Sequence, residues 1–105
     1  MPAYVIVNFD VLDEVAGAAY AVAAQQSILA YGGHHLIAGP VPEPAEGSWD
    51  SAGFAVIEFP DMVTIKTWYD SSEYRRARDI REGKARVSML FVDGISPGGF
   101  SHQAQ

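Results

Sequence analysis

The sequence predicts an α+β domain, a ferredoxin-like βαββαβ arrangement around a four-stranded antiparallel sheet. Three observations point there. The elements come in the order strand, helix, strand, strand, helix pair, strand. The stretch from Phe54 to Tyr74 (F-A-V-I-E-F-P, D-M-V-T-I-K-T-W-Y, D-S-S-E-Y) marks a strand, its stop and two helix starts in succession. Two right-handed crossovers interleaved in this order place the first and third strands side by side at the sheet centre, antiparallel to each other.

The first strand, Ala3 to Asp10, is apolar on both faces of its pleat and reads as a central strand covered on both sides. Asn8 interrupts it. Leu12 to Tyr31 is a long helix. Asp13 suits its N-cap and Glu14 its positive end, and the alanine-rich run that follows has high intrinsic helix propensity. Val15, Ala19, Val22, Ala23 and Ile28/Leu29 form its expected apolar stripe. Gly32 and Gly33 end it, because the turn that follows favours glycine.

His34 to Ala38 is a short strand near an edge. Gly39 to Gly53 is a long loop with Pro40, Pro42 and Pro44. Loops of this length are often functional, and Trp49 within it reads either as a pin onto the body or as part of a lid. The third strand, Phe54 to Phe59, stops at Pro60, which has no amide hydrogen for a sheet. Asp61 caps a helix to Tyr69 whose Met62, Ile65 and Trp68/Tyr69 face a core. Asp70 with Glu73 reads as a capping box for a helix from Ser71 to about Glu82, carrying Tyr74, Ala77 and Ile80/Arg81 on one side. Gly83 ends that helix. Val87 to Asp93 is the last strand. One domain is expected over residues 1–95, with a flexible polar tail over 96–105.

Bulk properties narrow the function classes. A chain of 105 residues, 49% hydrophobic and 19% charged, fits one globular domain. A net charge of -6 disfavours nucleic acid and anionic membranes as partners. The absence of cysteine excludes a disulfide scaffold and a thiolate metal site. No apolar run approaches the ~20 residues of a membrane span. The N-terminus carries no leader-like pattern, so a cytoplasmic location is expected. The helices can cover only one face of the sheet, yet the central strands are apolar on both. A second copy is the simplest cover, so a homodimer through the sheet face, with two-fold symmetry, is expected.

The opening Y-V-I-V with Asp10, the Y-G-G after the first helix, the strand V-I-E-F-P, and W-Y-D-S-S-E-Y followed by Arg81 resemble the bacterial family of domain of unknown function 1330. The resemblance covers nearly the whole chain to about Gly94. It implies a dimeric α+β barrel and no established reaction. The wider superfamily of such barrels includes haem-degrading and antibiotic-biosynthesis monooxygenases, stress-responsive barrels and binding proteins, and fold alone does not choose among them. Its cofactor-independent monooxygenases use an Asn and a Trp near a buried substrate, to which Asn8 and Trp68 are similar. Its haem degraders use a histidine from the helical region, and this chain has none between Phe54 and Ser101.

The antiparallel layout sorts the polar residues to two ends. At one end lie Tyr4, His34, His35 and Glu58. A His–carboxylate pair there is a candidate general base. The two adjacent histidines point to opposite faces, so only one joins Glu58 and a three-ligand metal site is not expected. At the other end lie Asn8, Trp68, Tyr69, Ser71 and Tyr74. Asn8 among apolar neighbours needs partners, either from the backbone or a tyrosine, or from a substrate in a cleft between helices and sheet. Six cations lie between Arg75 and Arg86. Most suit a solvated helix face, but Arg81 and Tyr74 share one side, where a guanidinium fork suits a carboxylate.

The expected function is binding of a small anionic or aromatic metabolite without established catalysis, with no cofactor and no metal. Asn8, Trp68, Tyr69, Tyr74 and Arg81 are the candidate ligand residues, and Asn8, His34 and Glu58 the candidate catalytic ones. The alternative is a cofactor-independent monooxygenase or isomerase acting on a small anionic substrate. A third reading is a haem-binding barrel with His34 or His35 as ligand.

Overall fold

In the computed structural model, which describes residues 1–50 and 52–95, seven elements follow one another. They are β1 (Ala3–Val11), α1 (Glu14–Ala30), β2 (His34–Ala38), β3 (Gly53–Phe59), α2 (Met62–Tyr69), α3 (Ser72–Arg81) and β4 (Ala85–Asp93). The expected tail over 96–105 lies outside the described residues. The sheet order is β2-β3-β1-β4, antiparallel throughout. The ferredoxin-like architecture is therefore the one the element order demanded, with β1 and β3 central.

The pleat divides the side chains of the sheet into two sets. Ala3, Val5 and Val7 of β1 and Ala55, Ile57 and Phe59 of β3 are buried beneath the helices. The alternate residues form cross-strand rows on the opposite, helix-free face. One row runs His34–Glu58–Tyr4–Val92, the next Ile37–Val56–Ile6–Leu90, and a third Phe54–Asn8–Ser88. Leu90 is 61% exposed and Leu36, at the irregularity in β2, is 53% exposed. That face is apolar along its middle row and, among the described residues, carries no helix.

The core between helices and sheet is centred on Trp68, Tyr74, Phe59, Ile65 and Val5, each almost wholly shielded from water. Trp68 packs on Tyr74 at 4.3 Å and on Phe59 at 5.2 Å between ring centroids. Burying side chains of this size contributes roughly 1.5–3 kcal/mol each.

Local chemistry fixes the helix ends. The Asp13 carboxylate accepts from the Ala16 amide at 3.1 Å and caps α1, and Asp61 accepts from the Thr64 amide at 2.8 Å and caps α2. Gly32 adopts a φ of 81° beyond the end of α1, a conformation that favours glycine. Gly33 packs so closely that a methyl group there would lie 2.7 Å from the Phe59 ring.

Two local expectations are corrected. The capping box does not use Asp70. Ser71 is the N-cap of α3, accepting from the Tyr74 amide at 3.1 Å, while Asp70 closes α2. Glu73 then lies too early to reach back to the cap, and its carboxylate instead accepts from the Tyr31 hydroxyl at 3.1 Å. The inward face of α1 is also rotated from the expected stripe. Ala24, Ser27 and Ile28 are buried, whereas Val15, Val22 and Leu29 face outward. A helix apolar nearly all round has no unique hydrophobic face. Its phase here follows two contacts instead: Gly17 lies against Val11, where a Cβ would come within 2.8 Å, and Ser27 meets the Trp68 indole.

Candidate functional site

A cavity of about 430 Å³ lies between α1 and the helix-covered face of the sheet. β1 contributes Val7 and Phe9 to its wall, β3 Ala55 and Ile57, and β4 Val87 and Met89. From α1 come Tyr20, Ala24 and Ile28, from α2 Trp68, and from α3 Arg81. The wall is apolar apart from a few groups, and Arg81 is the one acidic or permanently charged side chain among the described lining residues.

Arg81 is positioned by the last turn of α3 and lies over the Tyr20 ring, with its guanidinium carbon 5.3 Å from the ring centroid. Its Nε is buried and has no hydrogen-bond partner among the described residues. Burial opposes the guanidinium charge, but the hydroxyls of Tyr74 and Tyr20 more than offset this, and its pKa is raised. Behind it the hydroxyls of Tyr20 and Tyr74 are 2.8 Å apart and share a hydrogen bond. Burial, and next the neighbouring Tyr74, push the Tyr20 phenol well above its ordinary range, so it stays protonated.

The sequence candidates separate into three places. Trp68 and Arg81 line the cavity. Trp68 presents only its ring, because its Nε1 donates to Ser27 Oγ at 2.9 Å. Tyr74 is wholly buried behind Tyr20 and reaches the cavity only through that hydroxyl pair. Tyr69 lies outside the wall, edge-on to Phe91 at 5.5 Å and beneath the Arg78 guanidinium at 4.3 Å. Asn8 was expected in the same cleft, but the structure puts it on the other side of the sheet. Its neighbours Val7 and Phe9 take the cavity side of the pleat, so residue 8 faces away, between Phe54 and Ser88. There its Oδ1 is buried without a partner among the described residues.

The adjacent histidines divide as the pleat requires. His34 Nε2 is 3.0 Å from Glu58 Oε1 on the helix-free face, and Tyr4 donates to Glu58 Oε2 at 3.3 Å. His35 lines the cavity, and burial holds its pKa below the ordinary value, so it is neutral near pH 7. No cluster of three metal-ligating side chains occurs among the described residues.

Tyr20, Ser27 and the cavity side of His35 were not singled out from the sequence. Tyr20, Ala24, Ser27 and Ile28 do recur at helical spacing. Counting the small polar Ser27 as inward-facing exposes that stripe.

The fold and its cavity define a small ferredoxin-like α+β domain. The chain belongs to the family described as Domain of unknown function (DUF1330), which matches residues 2–95. It is similar in structure to a protein of unknown function from Rhodopseudomonas palustris, with a TM-score of 0.74, 16% identity, and 91% of this chain and 84% of that chain covered. A dimeric ferredoxin-like protein of unknown function from Jannaschia sp. CCS1 aligns with a TM-score of 0.60, 13% identity, and coverage of 90% and 100%. An antibiotic biosynthesis monooxygenase aligns with a TM-score of 0.54, 11% identity, and coverage of 91% and 100%. No match was found among curated proteins. Among the described residues, no helix is long and apolar enough to cross a membrane.

Proposed function

We propose that the protein is a small-molecule binding domain whose cavity takes a partly apolar anion, and that it works as a homodimer through its helix-free sheet face. One observation carries the binding reading: an apolar cavity of about 430 Å³ with a single permanent charge in its wall, the guanidinium of Arg81. Ligand sites are commonly apolar hollows with a few convergent polar groups. A guanidinium in such a wall suits an anionic ligand, because charge-assisted hydrogen bonds to a carboxylate are among the stronger ones. The dimeric relative from Jannaschia sp. CCS1 and the apolar row Ile37–Val56–Ile6–Leu90 support self-association.

The likeness to a monooxygenase and the position of Trp68 favour a second reading, cofactor-free oxidation in the same cavity. Against it, the amide expected to orient the substrate, Asn8, faces away from that cavity. Binding without catalysis is therefore the better-supported reading.

Titration with 2-naphthoate, a flat aromatic anion, tests this reading. One site per chain is expected, and it should be lost when Ala55→Phe fills the cavity. Absence of binding, or binding indifferent to that substitution in a folded variant, would overturn it.

A further inference from the structure

The cavity has polar groups at two separated places, and their chemistry differs. Arg81 precedes the turn into β4 at the level where Ala85 pairs with Val11. His35 pairs with Ile57, which pairs with Val5. Val5 and Val11 are six residues apart on β1, roughly 20 Å of strand, and the two polar groups enter the cavity from elements at opposite ends of that span. Val7, Phe9, Ala24, Val87 and Met89 supply apolar wall between them, and the Trp68 ring adds to it.

At the Arg81 level the donors are the guanidinium of Arg81 and the Tyr20–Tyr74 hydroxyl pair. Two hydroxyls that share one hydrogen bond leave one O–H proton to donate elsewhere. This end therefore offers donors and one positive charge, which matches a carboxylate. No second permanent cation lies in the described wall, so a second carboxylate on the ligand would enter apolar surroundings unpaired, at high cost. At the other end the neutral imidazole of His35 has one donor and one acceptor nitrogen. It suits a hydroxyl or keto oxygen rather than a charge.

We infer that the cavity selects an elongated monocarboxylic acid, bound carboxylate-first at Arg81 and Tyr20, with an apolar body along the Trp68 wall and a hydroxyl or keto group at its far end for His35. The inference rests on the binding function proposed above and adds the ligand's polarity and its two anchors. The same chemistry disfavours dicarboxylates and chains that lack a carboxylate.

The test uses three probes of one length: decanoate, 10-hydroxydecanoate and 1-decanol. Affinities are read from Trp68 fluorescence in a Trp49→Phe background and checked by calorimetry. Decanoate should bind at least about tenfold more tightly than 1-decanol, as expected for a charge-assisted contact. Arg81→Met should erase that difference. 10-Hydroxydecanoate should gain about three- to tenfold over decanoate, the range of a net neutral hydrogen bond, and His35→Leu should remove the gain alone. The comparison among wild-type ligands needs no variant, and Arg81→Lys serves if Arg81→Met does not fold. If the acid and the alcohol bind alike, or the hydroxyl gives no gain, the inference falls while the cavity reading stands. If no probe binds and 2-naphthoate does not bind either, both fall.

Discussion

The indole Nε1 of Trp68 donates to Ser27 Oγ at 2.9 Å, and the Ser27 hydroxyl in turn donates to the Ala24 carbonyl at 2.8 Å. Ser27 is the one buried polar side chain in the described core, and it links α2 to α1 across 41 residues. It gives the largest core side chain a partner and sets which face of α1 turns inward.

Replacing Ser27 with alanine leaves the indole donor buried and unpaired. A loss of about 1–3 kcal/mol is expected from urea denaturation. Trp68→Phe with Ser27→Ala should cost less than the sum of the single changes, because each removes the same bond.

Gly33→Ala tests a different contact. The added methyl would meet the Phe59 ring at 2.7 Å and Ile28 Cγ2 at 2.9 Å, in a region where neither neighbour is free to move. Overpacking of this kind costs about 1–3 kcal/mol. A lowered melting temperature with an unchanged far-UV spectrum is the expected result.

The helix-free face gives a prediction about assembly. Leu90 lies in its apolar middle row beside Ile6. Leu90→Lys would place a desolvated charge in the proposed subunit contact without touching the core. The mass measured by light scattering should fall to that of one chain, while the melting curve of the monomer stays cooperative. An unchanged dimer would place the contact elsewhere.

Stability should also depend on pH in two separate windows. The Ala16 amide bond to Asp13, and the Thr64 hydroxyl and amide bonds to Asp61, depress both carboxyl pKa values below 3.8. A depressed carboxyl pKa means that the unfolded chain binds protons first. The capping contribution is then complete above the unfolded value and is lost as pH falls through the folded one. His35 behaves as a buried base. Burial lowers its pKa below 6.5, so the unfolded state takes up the proton first and stability declines as pH falls below 6.5 towards the folded value. His35→Leu should flatten the second window in pH-dependent melting and leave the acid window in place.

Much of this fold was legible because strand and helix patterns with strong stop signals leave few topologies open. Pro60, Gly32 and Gly83 each end an element where expected. The site was less legible, for a geometric reason. Sequence order placed Tyr4, His34 and Glu58 at one end of the sheet, but it did not tell which side of the sheet a residue faces. Asn8 and Trp68 were expected together, yet residue 8 is out of phase with Val7 and Phe9 and faces away, and Trp68 packs on Phe59, the partner of Ala3, towards the other end of β1. Helix spacing did point Trp68 and Arg81 inward, because they share a helical face with buried Ile65 and with buried Tyr74 and Ala77. The inward face of α1 was misjudged because bulk was counted and Ser27 was not. No propensity rule reveals that a serine will be paired with a tryptophan 41 positions away.

The alternation along β1 and β3 also constrains how such a chain can change over time. Neighbours such as Ala55 and Val56 answer to different demands, one to whatever occupies the cavity and one to whatever rests on the outer sheet. The proposed ligand preference and the proposed self-recognition can therefore drift separately, one residue apart. A single-residue insertion within β1 would exchange the two sets at once, so tolerated length changes should gather in the connection between β2 and β3.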